Sequence, residues 1–130
     1  MRYLRDEELE LALRFLFLSM AMVVIRQDIV HIQKGSFRIK EPYMLLLEKM
    51  NADAANERKY VRKMMEKKNI RVTTLNKNDS FSTFLFTCQG LEEKRNYFNP
   101  VIRKKVEVII KELMRRALVP TQQHYASAEI

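Results

Sequence analysis

Apolar residues crowd one stretch of this chain more than any other. Ten of the eleven residues from Phe15 to Ile25 are apolar. A helix carrying that run is apolar all the way round, so it belongs inside a protein core or inside lipid. Leu9, Leu13, Leu16, Met20, Val24, Ile29 and Ile32 keep helical spacing around it and predict a first helix over 6–33. Asp6 is a candidate N-cap, and the acidic residues Glu7, Glu8 and Glu10 suit the positive end of the helix dipole. Gly35 is available for a left-handed C-terminal position. The run is shorter than the roughly 20 apolar residues that span a bilayer. Arg14 and Arg26 close it at both ends. Acidic residues precede it where a signal peptide carries positive charge, and no small-residue cleavage site follows. Burial within a protein without a transmembrane segment is therefore expected.

Pro42 suits a first helical turn and opens a second helix that runs to about Lys68. Its apolar seam is Tyr43, Leu46, Leu47, Met50, Ala54, Val61, Met64 and Met65, thin between Asn51 and Lys59. Two long helices with a short link predict an antiparallel helical hairpin. Residues 70–75 and 81–88 are rich in β-branched and aromatic side chains, with turn residues between them, and predict a β-hairpin. In its second strand Phe84, Phe86 and Cys88 face one way, and Phe81, Thr83, Leu85 and Thr87 the other. Both faces are partly apolar, which suggests a second contact surface such as a homodimer. Two strands alone are marginal in water, so the hairpin must lie on the helices or pair with another chain. Gly90 ends the second strand, and Leu91 to Tyr97 is expected to form a helical turn. Asn99-Pro100 then opens a third helix, whose stripe is Ile102, Val106, Ile109, Ile110, Leu113 and Ala117. The expected architecture is α+β in the order α-α-β-β-α: two long antiparallel helices, a β-hairpin and a C-terminal amphipathic helix. It forms a single domain over residues 1–118, and 119–130 is expected to be a flexible tail.

The residues that chemistry needs are scarce. Two glycines far apart cannot build a phosphate-binding loop. His31, His124 and Cys88 are the entire soft-ligand set, which excludes a Cys/His metal cluster. Glu41 and Glu48 stand one heptad apart, but no Glu-x-x-His pattern accompanies them. No catalytic, cofactor-binding or metal-binding residue is expected, and the chain does not read as an enzyme. A lone cysteine cannot form an intramolecular disulfide, which fits a reducing, cytoplasmic setting.

Charge is the stronger signal. The 130 residues carry a net charge of +8. Arg58, Arg62, Lys63, Lys67 and Arg71 follow the end of the second helix into the first strand, and Arg103, Lys104 and Lys105 sit in the first turns of the third helix. There the dipole disfavours each exposed cation by about 0.3–1 kcal/mol, so those three positions are candidates for contact with an external anion. The plain reading of both faces is a solvated surface. A winged helix-turn-helix is a poor fit, because the second helix is too long for a recognition helix. Tyr97 and Phe98 beside Arg95 are candidate stacking positions for nucleic acid, although that pair also suits a hydrophobic staple before a helix.

The string Asn96-Tyr97-Phe98-Asn99-Pro100 with its basic helix, Lys40-Glu41-Pro42-Tyr43, and Asn69-Ile70-Arg71-Val72 together resemble a small Bacillus-type family, the YhjD-like proteins. The likeness covers most of residues 7–113. It implies a bacterial, cytoplasmic protein, and it brings no activity and no site residues with it.

Two functions are expected in order. The first is a non-enzymatic protein–protein interaction or regulatory module, self-associating through the β-hairpin or the first helix. The second is a nucleic-acid-binding protein using the basic faces of the second and third helices. The second reading predicts steeply salt-dependent retention of DNA or RNA by protein purified free of nucleic acid. Absence of retention at low salt excludes it.

Overall fold

The computed structural model describes residues 4–119. Helices α1 (Asp6–Lys34) and α2 (Glu41–Lys67) come first, then strands β1 (Ile70–Lys77), β2 (Phe81–Cys88) and β3 (Leu91–Phe98), then helix α3 (Asn99–Leu118). The fold is α+β, and its sheet is antiparallel in the order β1-β2-β3. No described helix is long and apolar enough to cross a membrane. Apart from the exposed Val119, the expected tail lies outside the described residues.

The apolar run of α1 is the centre of the core. Leu18, Ala21 and Ile25 are sealed from solvent, with Phe17 and Met22 beside them. The other elements each give a stripe to the same cluster. From α2 come Met50, Ala54, Val61 and Met65, and from α3 Ile102, Val106, Ile109 and Leu113. The sheet gives Ile70, Phe84, Phe86 and Cys88. Fully buried Ala12, Ala21 and Ala54 have no bulk to hold neighbouring backbones apart.

The sheet has a third strand where a helical turn was expected. Leu91–Phe98 is rich in Glu, Lys and Arg, residues that favour helix over strand. A tight turn overrides that preference. Gln89 (φ 50°) and Gly90 (φ 84°) both take positive φ between the paired residues Cys88 and Leu91. Such a two-residue turn matches the twist of an antiparallel pair and sends the chain straight back along β2. Charged residues are what an outer strand wants, because they discourage pairing with other chains. The inner face of β3 carries Glu93, whose buried carboxylate accepts the Leu4 backbone N–H at 3.2 Å and a hydrogen bond from Arg95. The third strand also changes the outer face of the sheet. Half-buried Leu85 sits there among Thr73, Thr83, Thr87 and Lys94, a mostly polar surface.

Helix ends differ from expectation in detail. Arg5 rather than Asp6 is the N-cap of α1, and its N–H donates to Glu8 Oε1 at 2.8 Å. Gly35 is extended (φ −81°), not left-handed. It is needed for space instead, since a Cβ there would lie 2.8 Å from the His31 carbonyl oxygen. The left-handed residue after α2 is Asn69 (φ 55°), just beyond the C-cap Lys68. Asn99 is the first residue of α3, with Phe98 as N-cap. The Asn99 side chain accepts from Ser82 Oγ at 2.7 Å and donates to the Asn78 carbonyl at 2.8 Å, tying α3 to the β1–β2 turn.

The β2–β3 turn gives a stability test. Gly90→Ala should cost about 1 kcal/mol, because a Cβ is disfavoured at its φ. Gln89→Asn should gain a few tenths, since Asn tolerates the left-handed region better. Urea melts of the two variants check both signs.

Candidate functional site

The candidate basic residues have different surroundings. Arg58 is turned inward: its guanidinium lies 4.5 Å from the centre of the Phe15 ring, and its Nε donates to Ser19 Oγ at 2.7 Å. That arrangement joins α2 to α1 and removes Arg58 from any external site. Lys63 and Lys67 are exposed on α2. Arg62 is exposed beside Glu66, 3.4 Å away and one helical turn on. Lys104 pairs loosely with Glu107 at 3.8 Å, and Lys105 is exposed.

The fold does bring some of them to two grooves. One, of about 450 Å³, lies between the end of α2 and β1, with Arg62 and Arg71 on its walls and Phe15 and Met65 among its apolar lining. The other, of about 540 Å³, lies between α1, α3 and the β1–β2 turn. Arg103 and Lys77 line it together with Met20, Val23 and Val24 of α1. The first groove reaches Thr73 and the second reaches Thr74, so both border β1. Lys63, Lys67, Lys104 and Lys105 line neither groove. The nucleic-acid stacking candidates part company as well. Tyr97 is half-buried, with its ring centre 6.4 Å from that of Phe17 and 6.1 Å from that of Phe84. Phe98 is exposed and tilts against Phe81 at 5.4 Å.

Sequence reasoning passed over the main ion network. Arg14, read as the terminator of the apolar run, donates to both Glu57 oxygens, at 2.6 and 3.0 Å, and to Glu112 at 3.3 Å. Arg116 donates to Glu57 at 3.1 Å and lies 3.6 Å from Glu112. Four residues from three helices thus close one partly buried network. An arginine at the edge of an apolar run, with carboxylates on other amphipathic helices, was the available signal, but only the fold could say which carboxylates it meets.

The network is built for cohesion, since arginine forks already occupy both carboxylates. Among the described residues no group of three or more His, Cys, Asp or Glu is placed to hold a metal. Cys88 is buried, with its Sγ 3.4 Å from Glu8 Oε2 and 3.5 Å from the Lys68 carbonyl.

The network also sets an acid limb. The hydrogen bond from Arg14 lowers the Glu57 carboxyl against the opposing effect of burial, and Arg116 lowers it further. A depressed carboxyl contributes stability above its unfolded pKa, about 4.3, and loses it as pH falls through the folded value. Glu57→Gln should therefore cost about 1–2 kcal/mol at neutral pH. The gap from wild type should shrink as pH drops below about 4. Chemical denaturation across pH reads both effects.

The comparisons with known proteins agree with this geometry in extent. The family model described as "YhjD protein" matches residues 3–118, which takes in every helix and strand described above. A Bacillus subtilis (strain 168) protein named "Uncharacterized protein YhjD" is 31% identical over 107 residues, covering 82% of this chain and 89% of that relative. No solved structure matches the chain. With nearly all of the described fold inside the matched region, the chain belongs to the YhjD family.

Proposed function

We propose that this protein is a non-enzymatic protein–protein interaction module that works as a self-associated unit, joined through the far half of the α1–α2 hairpin. One observation carries the reading. Between the buried residues Ile25 and Met50, no residue from Arg26 to Lys49 is buried. Yet this stretch holds Ile29, Val30, Ile32, Phe37, Ile39 and the run Tyr43 to Leu47. Ile39 is 69% exposed and Leu45 58%. Ile29, Leu46 and Leu47 still pack against the core, but Val30, Phe37, Ile39, Tyr43 and Leu45 are all exposed, and large apolar side chains left exposed on one element mark an interaction site.

The segment is held in shape. Phe37 and Tyr43 pack ring to ring at 5.8 Å, and Lys40 Nζ donates to the Gln33 carbonyl at 2.7 Å across the connection. Its charge favours a second copy as the occupant. Five basic residues (Arg26, Lys34, Arg38, Lys40, Lys49) stand against three acidic ones (Asp28, Glu41, Glu48), so most of the net +8 lies elsewhere. Two such ends can approach without strong repulsion, and opposite charges on the same element can pair across a two-fold axis. Two helical hairpins meeting this way form a four-helix arrangement.

Two further observations favour this reading over nucleic-acid binding: Arg58 is engaged inside the protein, and Tyr97 is packed rather than presented. A cytoplasmic setting accords with a single cysteine, the buried Cys88.

Sedimentation velocity at tens of micromolar tests the proposal, a concentration at which even a modest dimer is populated. The expected species is a dimer. The double variant Phe37→Ser, Leu45→Glu should sediment as a monomer with an unchanged far-ultraviolet spectrum. A wild-type monomer at these concentrations overturns the proposal.

A further inference from the structure

We propose that the open edge of β1 takes an extended acidic peptide as an added strand, with the two grooves beneath that edge receiving its side chains. The edge is available. Among the described residues β1 pairs only with β2, and apart from buried Ile70 and half-buried Val72 all its residues are exposed. An outermost strand presents a row of backbone N–H and C=O groups that a second extended chain can pair with. Pairing with β2 is regular from Ile70 to Thr74, and a bulge follows between Thr74 and Asn76. The regular portion is where the added ladder forms, and beyond the bulge Lys77 lines the second groove.

The chemistry of the grooves selects the peptide. Arg62 and Arg71 stand at one end, and Lys77 and Arg103 at the other. Glu66 and Asp79 are the acidic residues on the walls, and Glu66 is engaged with Arg62. The cations outnumber the carboxylates, so acidic side chains are favoured at both ends. Between them the lining is apolar: Met65, Ile70 and Val72 in one groove, Met20, Val23 and Val24 in the other. From Arg71 to Lys77 the strand covers about 20 Å, or roughly six residues of extended peptide. The occupant is thus an extended segment with acidic residues toward its ends and apolar side chains on one face between them.

Two other occupants fit less well. Single-stranded nucleic acid binds by stacking bases on free aromatic faces. Phe15 is the aromatic residue of the first groove, and Arg58 already covers its ring. A phosphodiester chain also has no ladder to offer the strand edge. A second copy of β1, paired antiparallel about its midpoint Thr74, would set Arg71 opposite Lys77, and like charges directly opposite are destabilising.

Fluorescence anisotropy with a labelled peptide of about eight residues, two glutamates at each end and valine alternating with threonine between them, tests the proposal, its length set by the roughly 3.3 Å rise of a strand. The peptide should bind, and its lysine-for-glutamate counterpart should not. N-methylation of alternate backbone amides should weaken binding by about tenfold or more, because it removes ladder donors. Arg71→Glu with Arg103→Glu should weaken it by about tenfold. Lys94→Glu, on the opposite edge strand, should leave it unchanged. The proposal is overturned by absence of binding into the millimolar range, by equal binding of the lysine peptide, or by indifference to N-methylation. Tighter binding of an oligothymidylate of similar length would assign the grooves to nucleic acid. Concentration-dependent protection of β1 amides from exchange without peptide would assign the edge to a second copy.

Discussion

The fold depends on covering one helix that has no polar side to give to water. The middle of α1 is apolar on every face, so neighbours must approach it from several directions at once. α2 and α3 take two of those directions, and the sheet takes a third through Phe84 and Phe86. Burial of a single large aliphatic or aromatic side chain is worth about 1.5–3 kcal/mol. A cluster running through every element of the chain therefore outweighs any of its polar contacts. The Arg14–Glu57–Glu112–Arg116 network acts at the margin of that cluster. It aligns three helices that the apolar contacts have already brought together.

Coverage stops short in two places, and these are the surfaces with functional interest. Val23 and Val24, inside the apolar run, remain exposed and line a groove beside α3. Beyond Ile25 the two long helices continue for several turns, with Ile29, Leu46 and Leu47 only partly buried against the core and no residue fully buried before Met50. The helices also differ in length. At about 1.5 Å per residue α1 is roughly 40 Å long, while the 20 residues of α3 reach about 30 Å. The near-neutral hairpin end is the surface proposed for a second copy, and the cation-flanked grooves are the ones proposed for an acidic peptide. The two surfaces thus have different chemistry and lie on different elements.

Much of the architecture was legible in the chain. Helical spacing located α1, α2 and α3 to within a residue or two, because each carries an apolar stripe that the core consumes. The β1–β2 hairpin was legible from β-branched and aromatic residues flanking a turn. β3 was not, because its composition is that of a solvated helix and its identity comes from pairing with β2 through the Gln89-Gly90 turn. The basic residues were legible as a set but not as a site. Arg58 and Arg62 are one helical turn apart, yet one stacks inward on Phe15 while the other faces a groove.

The sequence by itself determined that α1 must be buried, that three helices and a hairpin would do it, and that soft metal ligands and a phosphate loop are lacking. Those conclusions follow from periodicity and residue counts, which are local properties of a chain. The tertiary structure alone decided which of the many arginines and lysines stay free, which carboxylates they neutralise, and where apolar surface is left over. Those outcomes depend on distances between residues far apart in sequence: Arg14 meets Glu112, and Arg103 shares a groove with Met20. No pattern along the chain encodes such a distance, because it is set by how the helices and the sheet pack around α1.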